Sequence, residues 1–192
     1  MGKFTKISAD VFKQLQFDAG VVLKNFNPDS SADVSDDDIV CATTGGINAT
    51  CTPTITDLGE DIDNVLASFK EFQQIDTWEC HLSFTALDMT EATIKMALGV
   101  ADVTSGEAGS TASSIKARAK LNASDFSDIW WVGDRTDGGF VAVKLKNALS
   151  TGGLNIQTTK KGKGQLTVDL QGYMSIANQT EIPMEFYVME AE

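Results

Sequence analysis

The stretch WECHLSFTAL at 78–87 sorts its side chains by parity. Trp78, Cys80, Leu82, Phe84 and Ala86 fall on one side, and Glu79, His81, Ser83 and Thr85 on the other. Successive residues of a strand point to opposite faces, so this is a strand with one dry face and one wet face. A chain that holds such a strand must supply a second layer to cover the dry side. The same period returns in SIKARAKL at 114–121 and in QLTVDLQGYMSI at 165–176, where Leu166, Val168 and Leu170 share a face.

Shorter signals fill in the rest. Val21-Val22-Leu23 fits a short strand, and 39–44 fits another, closed by Gly45-Gly46. Residues 47–56, INATCTPTIT, are rich in Thr and β-branched side chains, with Pro53 marking an edge or a bulge. Residues 65–74, VLASFKEFQQ, suit a helix and a strand almost equally. In IWWVGDRTDGGF at 129–140, the run 135–139 is a hairpin turn that leads into a return strand at 140–145. A turn is expected at 147–153, a strand at 154–159, a cationic turn at 160–164 and a last strand at 183–189. Trp130 and Trp131 are neighbours, so a strand sends them to opposite faces and each needs its own cover.

One helix is expected, over 90–99. Asp88 or Thr90 can cap it, Glu91 lies in its first turn, and Gly99 suits the left-handed position after its end. This helix or a second sheet is the expected cover for Trp130, with a neighbouring subunit offered for Trp131. Residues 25–38, NFNPDSSADVSDDD, have the composition of an exposed, mobile acidic loop, and 101–113 that of a loop or hairpin tip. No repeat and no linker divides the chain, so 1–192 is read as one domain. Many short strands, hairpin turns and one helix predict a mainly-β fold, a β-sandwich or barrel with a flanking α-helix.

Charge narrows the function. The net charge is −12, which disfavours a surface built to grip nucleic acid or anionic membranes. No segment approaches the roughly 20 apolar residues of a membrane helix, and the start of the chain has no apolar run suited to a signal peptide. Three cysteines, Cys41, Cys51 and Cys80, form neither a disulfide framework nor a CxxC pair. Cys41 and Cys51 could approach across a hairpin, but a zinc site would need two further ligands. Cys80 and His81 are adjacent on a strand and point apart. Asp33, Asp36, Asp37 and Asp38 lack calcium-loop spacing, as does the run Glu60 to Asp63. No nucleophile elbow, phosphate loop or dinucleotide fingerprint is present. The expectation is a protein that is not an enzyme and needs no cofactor and no metal.

Several segments, in order, resemble one family. They are IVCATTGGINATCTP at 39–53, LGEDIDNV at 58–65, and WECHLSFTALDMTEATIKMALGVADV at 78–103. DFSDIWWVGDRTDGGFVAVKLKNALSTGG at 125–153, TTKKGKGQLTVDLQGYMSI at 158–176 and PMEFYV at 183–188 follow. Together they resemble the major tail proteins, or tail tube proteins, of long-tailed phages and prophages of Gram-positive bacteria. The resemblance implies subunits that join edge to edge into hexameric rings, and rings that stack into a hollow tube for DNA ejection. It implies a tape-measure protein and tail-tip or terminator proteins as partners, with genomic DNA passing through unbound. The place implied is the virion tail, assembled in the host bacterial cytoplasm. An acidic lumen would let a polyanion slide, and the charge balance permits one.

The expected contact residues between subunits or rings are Trp131, the acidic run Asp36, Asp37 and Asp38, and the turn lysines Lys160, Lys161 and Lys163. The alternative is a carbohydrate-binding β-sandwich module, virion-associated or secreted, in which Trp131 stacks on a sugar ring.

Overall fold

The computed structural model describes residues 7–8, 10–29, 34–104, 106 and 112–191, with the backbone alone at Phe17. The strands are β1 (Gln16–Leu23), β2 (Ile39–Cys41), β3 (Thr43–Asp57), β4 (Gln73–Ala86), β5 (Ala101–Thr104) and β6 (Ser114–Ala117). They continue with β7 (Ser127–Arg135), β8 (Phe140–Ser150), β9 (Asn155–Gln157), β10 (Gln165–Gly172) and β11 (Met184–Met189). The α-helix α1 spans Glu91–Leu98. Nine strands form one antiparallel sheet in the order β2-β1-β7-β8-β10-β4-β3, with β11 on β8 and β9 on β10. The hairpin β5–β6 stands apart from it. The architecture is a mainly-β sandwich with one flanking α-helix.

The core follows from the parity of β4 and β10. Their register runs unbroken, with Leu166 opposite Ala86, Val168 opposite Phe84 and Leu170 opposite Leu82. Those six side chains therefore share the dry face. They pack with Ile129 of β7, Val143 and Leu145 of β8 and Met184 of β11 in one buried cluster. The sheet curls over so that its own two halves supply the two layers.

β8 makes that curl. Its first half pairs with β7 and β11, and its last residues, Ala148 to Ser150, pair with β10. Asn147 at the changeover has φ 46, a left-handed conformation that Asn tolerates better than most residues. Its backbone N–H donates to the Asp128 carboxylate at 3.0 Å, and its side-chain amide to the Tyr173 carbonyl at 3.0 Å. The turn expected at 147–153 is therefore corrected. Asn147 kinks the strand instead of ending it, and β8 runs on to Ser150.

α1 lies where the sequence placed it. The Thr90 hydroxyl accepts the Thr93 N–H at 3.2 Å. Gly99, at φ 73, returns its N–H to the carbonyls of Lys95 and Met96. Asp88 does another job, accepting the Ala42 N–H at 2.7 Å. Ala97 packs into the main core, and its carbonyl accepts the Ser150 hydroxyl at 2.7 Å.

Three further expectations are corrected. The strands expected at 39–44 and 47–56 break at Ala42, and β3 runs through Gly45-Gly46 as a bulge. Residues 65–69 are neither helix nor strand, and Lys70–Phe72 is a 3-10 turn before β4. Residues 101–104 and 114–117 pair as a hairpin. Its tip, and residues 30–33 of the acidic loop with Asp33, lie outside the described residues.

Candidate functional site

The two tryptophans of β7 do point to opposite faces. Trp130 is 6% exposed. Phe26 meets it edge-on at 5.5 Å between ring centroids, Tyr187 lies at 5.4 Å, and the Lys144 ammonium sits 5.3 Å over the ring. The helix or a second sheet was the expected cover; the cluster holds no α1 residue and draws Phe26 from the chain after β1 and Tyr187 from β11. Phe26 belongs to the stretch read as exposed acidic loop, and it departs from that reading, whereas most of the other described residues of the stretch are exposed. A lone large aromatic in a polar loop was the available signal, since a buried ring recovers more apolar area than any neighbour there.

Trp131 lies on the other face, packed at the rim of the main core. Its indole N–H donates to the Ala19 carbonyl at 2.9 Å. Two glycines let the backbone press against the ring. A Cβ at Gly20 would lie 2.5 Å from Nε1, and one at Gly133 would lie 2.9 Å from Cζ2. Gly20 also holds φ 69, which other residues adopt at a cost. The edge of the indole that would donate to a sugar hydroxyl is thus occupied within the chain.

The acidic run Asp36, Asp37 and Asp38 forms a 3-10 turn. Ser35 caps it, accepting the Asp37 N–H at 3.4 Å. Asp38 is tied back, its carboxylate accepting the Asn25 amide at 2.9 Å and its carbonyl the Lys24 N–H at 2.8 Å. Asp36 and Asp37 remain exposed. Lys160, Lys161 and Lys163 are all exposed on the turn between β9 and β10, with Lys161 at φ 63. Among the described residues no ion pair joins them to the aspartates or to any other acid.

The lysines of β8 contrast with these. Lys144 pairs with Asp128 at 3.0 Å. Lys146 bridges Glu181 and Glu185, and the Tyr187 hydroxyl donates to Glu185 at 2.6 Å. The Lys146 ammonium, then the tyrosine hydroxyl, hold the Glu185 carboxyl below its ordinary range. These lysines are consumed by folding.

The feature that sequence reasoning missed is the β3–β4 hairpin. β4 leaves β10 at His81 and continues to Gln73 with β3 as its only strand partner among the described residues. Beyond Trp78, which still packs against the main core, the five exposed residues Gln73 to Thr77 extend about 16 Å at about 3.3 Å each. No residue of β3 is fully buried, and Gln73 to Thr77 are all exposed. Ile55 and Ile75 sit directly opposite each other, 53% and 51% exposed. The connection 58–72 carries Leu58, Ile62, Phe69 and the 96%-exposed Leu66. Pro53 lies in this arm opposite Trp78, on a terminal strand of the sheet, where a missing N–H is tolerated.

Among the described residues no group of three His, Cys, Asp or Glu side chains is placed to hold a metal ion. His81 Nδ1 lies 3.4 Å from Asp169 on the outer face, away from Cys80. Cys51 meets Cys80, not Cys41. Among the described residues no helix is long and apolar enough to cross a membrane. A scan against family models finds no match for the chain, and neither does a search of curated proteins.

Proposed function

We propose that the chain is a structural subunit of a phage or prophage tail tube, assembling with copies of itself into stacked hexameric rings, and that it is not an enzyme. The observation that carries this reading is the unbacked arm. A two-stranded hairpin without a second layer is marginally stable in water, and this one exposes a row of large apolar side chains. Among the described residues its β3 edge is long and unpaired, which in a lone monomer invites aggregation. An assembly that covers the arm with a neighbouring copy removes both costs. The unpaired lysines of the β9–β10 turn and the exposed Asp36 and Asp37 supply opposite charges for setting register between copies. The net charge of −12 suits a conduit through which DNA passes without sticking. On this reading the further partners are a tape-measure protein and tail-tip or terminator proteins, and the product is the virion tail, built in the host cytoplasm.

Sedimentation and negative-stain microscopy of the concentrated protein test the proposal. Rings or tubes are expected, and they should disappear when Ile55 and Ile75 are both changed to Ser. Monomers at every concentration would overturn it.

A further inference from the structure

Cys51 and Cys80 are register partners across the β3–β4 hairpin. Their sulfurs are 3.3 Å apart, and both thiols are free. Directly opposed residues of an antiparallel ladder hold their Cα atoms about 4.5–5.5 Å apart, and a disulfide accepts about 4.4–6.8 Å. The backbone already meets that demand. Side-chain rotation alone has to bring the sulfurs to a bond of about 2.05 Å.

We infer that Cys51 and Cys80 form a redox-modification site, which closes to an intrachain disulfide when the chain meets a small disulfide oxidant of the oxidised-glutathione class. Cys51 is half-exposed and Cys80 is fully buried, so the order of events is set. The Cys51 thiolate attacks one sulfur of the oxidant, forming a mixed disulfide and expelling one glutathione thiolate. Cys80 then gives up its proton and attacks the Cys51 sulfur, expelling the second glutathione. Two protein thiols become one disulfide, and one glutathione disulfide becomes two glutathione thiols, so electrons and protons balance. Burial, and then contact with Cys51, push the Cys80 thiol up to about 12. The second step is therefore slow at neutral pH and quickens as pH rises.

The position gives the bond its consequence. Cys80 is the last fully buried residue of β4 before the arm, and the rung Cys51–Cys80 lies where the second layer ends. A disulfide there staples the base of the arm to the core. Cys41 is left out, since it lies on β2 opposite Val22. The site does not depend on the tail-tube reading.

The test uses the whole chain, reduced and then incubated with oxidised glutathione. The sample is denatured, alkylated and weighed. Labelling is expected to fall from three cysteines to one, with the label on Cys41 and a linked pair of peptides holding Cys51 and Cys80. Closure should be faster at pH 9 than at pH 7. The Cys41→Ser variant should still close, and Cys51→Ser should keep both remaining thiols. Three labelled cysteines, a glutathione left on Cys51, or a link through Cys41 or to a second copy would each overturn the proposal.

Discussion

β4 is one strand with two environments. From Cys80 to Ala86 its side chains alternate between buried and half-buried, and from Gln73 to Thr77 all are exposed. β3 accompanies it throughout. The difference is β10, which pairs from His81 to Ala86 and goes no further. How deeply a strand residue is buried depends on how far the opposite layer extends. The sandwich half is held by its own chain, and the arm half is left for something else.

The sharpest way to break that contrast is to remove one large side chain from each half. Leu82→Ala should cost about 2–5 kcal/mol in urea or thermal unfolding, because it opens a cavity in a closed core. Ile75→Ala should cost no more than about 0.5 kcal/mol, as exposed sites do. Equal losses would erase the distinction. Trp131→Phe tests the rim between the halves. It deletes the N–H donor to Ala19 and keeps most of the ring, and should cost about 1 kcal/mol. Changing Lys160, Lys161 and Lys163 to Glu should leave the melting temperature nearly unchanged and slow tube growth followed by light scattering. Growth at the normal rate would remove the turn from the assembly.

The smallest effect concerns acid. The Glu185 carboxyl sits below its ordinary value of 4.5. Its stabilisation is complete above that value and is lost as pH falls through the lower folded one. Glu185→Gln should flatten that acid limb of the stability curve and lower stability modestly at neutral pH, where the lost pairing is at full strength. An unchanged limb would show that Lys146 contributes nothing there.

The sequence was legible where one local rule decides. Strand period placed the inner half of β4 and most of β10, the Thr90 cap and Gly99 placed α1, and Gly138-Gly139 marked the β7–β8 turn. It was silent where partners are distant. Nothing near Phe26 names Trp130, which lies far along the chain, and nothing near Cys51 names Cys80. Nor did the run at 147–153 show that Asn147 would bend a strand instead of closing it. The arm was the costliest omission. Residues 73 and 74 fall in the run at 65–74 that suits a helix and a strand almost equally, 75–77 fall in no expected element, and only the short reach of β10 shows that among the described residues no strand backs them. The exposure of Asp36, Asp37 and the turn lysines was legible from charge alone, whereas the internal seat of Trp131 depends on Ala19, Gly20 and Gly133.

The pairing of β8 with β11 also sets a schedule for synthesis. Residues 140–145 of β8 hydrogen-bond to residues 184–189, and Met184 contributes to the main core. Until that later segment leaves the ribosome, an inner strand of the sheet has an open side and the core has a gap. The nascent chain therefore passes through a stage in which its adhesive edge is the middle of its own future sheet, and each copy must complete itself before another copy finds that edge.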